Sequence, residues 1–248
     1  MSFFDGNARS PVSAGVTRVG AAQYDAGLRA YMLGIYNHMT LGLAISAVVA
    51  LGAFMMARSN ASVAYALYAS PLKWLIMLAP LGFVMFMSFR FERSSYQTLL
   101  LMFWAFAAVM GLSLSTWFLV FKIGSIAQVF FVTAAAFGGL SLYGYTTRRS
   151  LSAMGSFMAM GLIGLIIASL ANMWFQSGAF AFALNVIGVV IFAGLTAWDT
   201  QRLKDAYDQV SSDGTLMAKY SLMGALTLYL NFINLFQFLL SIMGSRNN

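Results

Sequence analysis

The chain has 248 residues, of which 60% are hydrophobic and 8% charged, with a mean hydropathy of +0.79 and a net charge of +7. Soluble domains carry about a quarter charged residues, so there is too little polar surface here to solvate a globule. The absence of cysteine excludes disulfides, thiol catalysis and thiolate metal sites.

Residues 1–27 are polar and rich in Ser and Gly, without an apolar h-region. They are expected to form a disordered cytoplasmic tail and not a cleavable signal peptide. Beyond them the gaps between charges mark the membrane spans. No charge occurs in 30–57, 74–89, 94–121, 123–147, 150–198 or 220–245. A span needs about 20 apolar residues, so the run 150–198 must hold two. Its division falls at "NMWFQSGAF", where Asn172, Gln176, Ser177 and Gly178 cluster. The short gap 74–89 extends back to Pro71, a suitable helix start. Seven helices are therefore predicted, near 29–57, 72–90, 96–121, 124–146, 152–174, 179–200 and 218–243. The domain they form covers 28–243, leaving 244–248 as a short tail.

Lys and Arg set the orientation. With the N-terminus inside, the inner segments hold Arg9, Arg18, Arg29, Arg90, Arg93, Arg148, Arg149, Arg202, Lys204 and Lys219. The outer ones hold Arg58, Lys73, Lys122 and Arg246. This bias places the C-terminus outside and accounts for the positive charge without nucleic acid. Trp74, Trp117, Trp174 and Trp198 fall near span ends, as an aromatic belt requires. Ala135 with Gly139, and Gly164 with Ala168, have the small-residue spacing of close helix packing.

Catalytic chemistry finds little support. The single histidine, His38, lies in the first span, far in sequence from Ser141 in "GGLSLYG". A serine hydrolase needs its base beside its nucleophile, and no HExxH or phosphate-binding loop is present. A non-enzymatic protein without a cofactor is expected, with His38 as an interhelical hydrogen-bonding residue.

The acids are more informative. Asp5, Asp25, Glu92, Asp205, Asp208 and Asp213 fall in the tail or inner loops, whereas Asp199 joins the sixth span without a break. A carboxylate within a membrane is costly, and burial opposes its ionisation unless a cation or donors compensate. Asp199 is thus either a pH-sensing group or a helix-end acid that reaches water beside Arg202. In the last span, Gly224, Thr227, Asn231, Asn234 and Phe238 recur on one helical face. Two asparagines one turn apart at mid-helix should face protein or water. They serve either as interhelical glue or as the lining of a pore or cavity, with Thr227 and Asn234 as its candidates.

The stretches "FMSFRFERSSYQTLLLMFWAFAAVMGLSLS", "FGGLSLYGYTTRRSLSAMGSFMAMGLIGLIIASL", "GLTAWDTQRLK" and "ALTLYLNFINLFQFLL" resemble the bacterial branch of the transmembrane Bax inhibitor motif (Bax inhibitor-1-like) family. The resemblance extends over 28–243. It implies an all-α fold of seven transmembrane helices with the seventh central among the other six, in a bacterial inner membrane. It also implies a passive, pH-sensitive Ca²⁺ leak. The sensor there is an aspartate pair from the sixth and seventh helices, latched by an arginine at the inner end of the second. Two close carboxylates do not both ionise cheaply, so they share a proton. Asp199 matches the first aspartate and is the implied Ca²⁺-contacting residue. Arg93, or secondarily Arg90, matches the latch. The second aspartate is replaced, because "LYLNFINLF" carries Asn231 at its position. Asparagine imitates the protonated acid, so Asn231 is expected to bond to Asp199 while removing the shared proton. The alternative function is a non-conducting regulatory protein that binds a membrane protease or another membrane complex.

Overall fold

The computed structural model describes residues 11–247, with side chains from residue 23 onward. Among them seven helices are long and apolar enough to cross a membrane. They are α1 (Pro11–Ser59), α2 (Leu72–Arg90), α3 (Tyr96–Leu114), α4 (Ile123–Thr146), α5 (Ser152–Phe175), α6 (Gly178–Val210) and α7 (Gly214–Met243). The protein is a multi-pass, all-α membrane protein.

Short polar side chains start several of these helices by accepting from otherwise unpaired N–H groups. Ser95 accepts from Thr98 at α3, Ser177 from Phe180 at α6, and Asp213 from Thr215 and Leu216 at α7. The long apolar run divides where the sequence predicts. Gln176 closes α5 in the left-handed conformation at φ 51°, and the Ser177 N–H donates to the Asn172 side chain.

Three boundaries differ from expectation. Residues 1–10 of the expected tail lie outside the described residues, but from Pro11 the backbone is already helical. Extending a helix that the span has nucleated is far cheaper than starting one, and the segment is proline-free after Pro11, a favoured first position. On the same side of the bundle, where Tyr24 bonds Asp208, α6 runs on through Leu203 to Val210, and α7 begins at Gly214. Polar residues there end the apolar stretch but not the helix. The last residues do not hang free either. Backbone bonds join Lys122 to Ser245 and Asn247 to Val120, fastening 245–247 along the α3–α4 connection.

The seventh helix occupies the centre. It packs against α1, α3, α4 and α6, while α2 rests mainly on α3 and α5 on α6. A buried hydroxyl cluster fixes the three inner elements. Ser46 of α1 donates toward the Ala107 carbonyl of α3 at 2.6 Å and meets the Tyr229 hydroxyl of α7 at 2.7 Å. A hydroxyl has one proton, so with Ser46 donating to Ala107, Tyr229 is the donor to Ser46.

Close packing uses other glycines than those anticipated. Ala135, Gly139 and Gly164 are exposed, and nothing approaches a Cβ added at Gly139 or Gly164. Gly144 of α4 instead lies directly on the Ala197 carbonyl of α6, and Gly155 of α5 lies on the Trp198 ring. Trp198 is thereby half-buried against the bundle, unlike the exposed Trp74 and Trp174.

Candidate functional site

Asp199 sits within α6, eleven residues before its end at Val210, and is only 5% exposed. Because α6 continues past it, Asp199 lies at the depth of Asn231 on α7, which is equally buried. The two meet directly. Asn231 Nδ2 donates to Asp199 Oδ2 at 2.7 Å. The other carboxylate oxygen, Oδ1, accepts from Arg202 Nη2 at 2.8 Å. Both oxygens of the buried acid therefore face a donor, as a charged group inside a membrane requires.

Arg202 is one turn along α6 from Asp199, the spacing at which helical side chains meet. Its guanidinium also stacks over the Trp198 ring at 4.9 Å, and the ring is seated against Gly155. Although it grips a buried acid, the Arg202 side chain remains 53% exposed. It thus connects the membrane interior to the end of the bundle that carries most of the basic residues.

This arrangement sets a cation other than the two expected arginines against Asp199. Arg93 is exposed on the connection after α2, and Arg90 lies over the Phe86 ring at 5.5 Å. Neither forms an ion pair among the described residues, where Arg202–Asp199 is the one side-chain salt bridge. The nearer cation on the same helix takes the carboxylate. The sequence already shows Arg202 three residues after Asp199, a spacing at which helical side chains meet.

Asp199 and Asn231 line a cavity of about 810 Å³ that Thr227 and Asn234 also face. Thr227 and Asn234 donate to carbonyls of their own helix, those of Met223 and Leu230, which leaves their side-chain oxygens free to accept. A second cavity of about 500 Å³ lies toward the basic end, and Trp198, Arg202 and Thr227 line both. A third, of about 750 Å³, shares Leu230 and Asn234 with the first. The asparagine stripe of α7 thus faces these spaces, the first of which opens to the outside of the bundle past the exposed Ile166, Leu170 and Met173. Arg202 stands between the first two.

The site's capacity for metal is small. Asp199 is the only carboxylate lining the cavity, and no group of three His, Asp or Glu side chains gathers anywhere among the described residues. His38 bonds the Gly34 carbonyl at 2.7 Å and the Tyr96 hydroxyl at 3.0 Å, tying α1 to α3. Ser141 is buried and its nearest hydroxyl neighbour is Thr200 at 3.5 Å.

Comparison with known proteins adds to this geometry. A family model described as "Inhibitor of apoptosis-promoting Bax1" matches residues 28–248. The inner membrane protein YbhL of Escherichia coli K12 is 44% identical over 223 residues, covering 89% of this chain and 94% of the relative. A Rickettsia prowazekii protein is 43% identical over 225 residues, covering 91% and 93% respectively. A Caulobacter vibrioides protein is 44% identical over 230 residues, covering 89% and 90%.

Proposed function

Because the chain belongs to the Bax inhibitor-1-like family, we propose that it is a pH-sensitive Ca²⁺ leak channel of a bacterial inner membrane. In this reading the N-terminus is cytoplasmic and the C-terminus periplasmic, as the distribution of Lys and Arg favours. The membrane assignment draws on the Escherichia coli relative, an inner membrane protein.

One observation carries the proposal: the Asp199 carboxylate is held inside the bundle, at the wall of a cavity whose polar side is the Thr227–Asn231–Asn234 stripe of the central helix. An intramembrane acid facing such a space is a functional group by default. Calcium prefers six to eight oxygen ligands. One carboxylate with a few amide and hydroxyl oxygens makes a weak site, which suits passage better than retention.

In this mechanism Arg202 is the latch. Its guanidinium covers the carboxylate oxygen that an entering cation would use, so the protein carries its own competing cation. Moving the half-exposed Arg202 into the second cavity uncovers Asp199. Protonation of Asp199 removes the negative charge that attracts either cation. Asn231 has no proton to lose in this range, so one site titrates where the family's pair would have two.

The test is Ca²⁺ flux into proteoliposomes containing the purified protein, measured across pH. Protein-dependent flux whose pH response disappears in Asp199→Asn supports the reading. Protein-dependent flux absent at every pH overturns it and favours the non-conducting regulator of a membrane protease.

A further inference from the structure

A groove on the outside of the bundle, distinct from the Asp199 cavity, lies between α1 and α4. It has a volume of about 450 Å³ and is lined by Arg29, Tyr36, Met39, Phe137, Leu142 and Tyr145, among others. Its walls are almost wholly apolar over most of their length, and a Cβ added at Gly138 would meet open space. The charge lies at one end. Arg29 is at the mouth, and Lys204 Nζ donates to the Tyr145 carbonyl at 2.9 Å while sitting over the Tyr145 ring at 5.3 Å. Arg148 and Arg149 follow Thr147, which closes α4 after Thr146. Three acids adjoin this end as well, Asp25, Asp205 and Asp208, the last of which accepts from Tyr24, against the four basic residues.

The dimensions define the occupant. From Arg29 to Met39 the groove follows ten residues of α1, about 15 Å at the helical rise. That is half of a hydrocarbon core of ~30 Å, the depth of one leaflet. The deep end is apolar and the mouth is cationic, the polarity of a single anionic lipid standing in that leaflet. Basic pockets between helices at the inner membrane face recognise anionic headgroups.

We propose that the α1–α4 groove is a binding site for one anionic phospholipid. An acyl chain lies along Met39, Phe137 and Leu142, and the phosphate lies at Arg29 in the mouth, with Lys204 behind Tyr145 adding to the positive field there. This assignment stands whether or not the protein conducts Ca²⁺.

The experiment uses the full-length protein in a neutral detergent, titrated with phosphatidylglycerol or phosphatidylcholine of identical chains. Native mass spectrometry reads bound lipid, and thermal unfolding reads stabilisation. The wild type should retain one phosphatidylglycerol in preference to phosphatidylcholine and unfold at a higher temperature with it. Arg29→Ala should reduce that preference about fivefold, equivalent to ~1 kcal/mol for one basic residue near an anionic surface. Gly138→Phe should lower retention of both lipids by filling the groove. Equal retention of the two lipids by the wild type overturns the proposal. So does an undiminished preference in Arg29→Ala. If Gly138→Phe does not fold, the Arg29→Ala comparison decides alone. A second protein copy occupying the face in place of lipid also overturns it.

Discussion

The side-chain amide of Asn231 on α7 donates to the Asp199 carboxylate on α6 at 2.7 Å, so the central helix and its neighbour are joined by one buried polar bond. Removing the donor leaves a buried acceptor unpaired, which costs about 1–3 kcal/mol and more for a charged group. Asn231→Leu should therefore lower the unfolding temperature of the purified protein. An unchanged temperature would mean that this bond contributes nothing to the packing of α7.

Arg202→Gln removes the tethered cation but leaves a polar side chain of similar reach. Ca²⁺ flux in proteoliposomes should rise severalfold, because the Asp199 oxygen it covered becomes available. Arg90→Gln and Arg93→Gln, at positions that form no ion pair with Asp199, should leave flux near wild type. A rise in those two and none in Arg202→Gln would return the latch to α2.

The Arg202–Asp199 pair shows what the sequence could and could not convey. Seven spans were legible because a membrane span must be free of charge for about 20 residues, and the charges of this chain are sparse enough to delimit them. Helix ends were not legible from hydropathy. "QRLKDAYDQV" is too polar to span a membrane, yet it continues α6 to Val210. That continuation is what brings Asp199 level with Asn231. The pair itself was readable from the match of "AWDTQ" and "LYLNFINLF" to a family pattern. Arg202 was passed over because a pattern of residues names positions and carries no distances.

The Ser46–Tyr229 pair provides an independent test of the core. Tyr229→Phe and Ser46→Ala each break the same buried bond. Each should destabilise by about 1–3 kcal/mol. The double variant should fall short of the sum, since the second change removes a contact already lost. Strict additivity in thermal or denaturant unfolding would contradict a shared bond.

Helix packing predicts opposite outcomes for two glycines five residues apart on α4. A methyl group at Gly144 runs into the Ala197 carbonyl, whereas one at Gly139 meets nothing. Gly144→Ala should therefore cost about 1–3 kcal/mol as α4 and α6 are forced apart. Gly139→Ala should stay within about 0.5 kcal/mol of wild type. Unfolding of the two variants in the same detergent reads the difference. Equal values would contradict the close contact of α4 with α6.

The central claim is that a single carboxylate, Asp199, sets the pH response because its partner is Asn231. Its most direct test is the pH profile of Ca²⁺ flux through wild type and Asn231→Asp in matched proteoliposomes. The wild type should follow a one-proton titration. Asn231→Asp should place two acids in contact and show a displaced profile with two coupled steps. Superimposable profiles would contradict the claim, since the response would then not depend on what stands opposite Asp199.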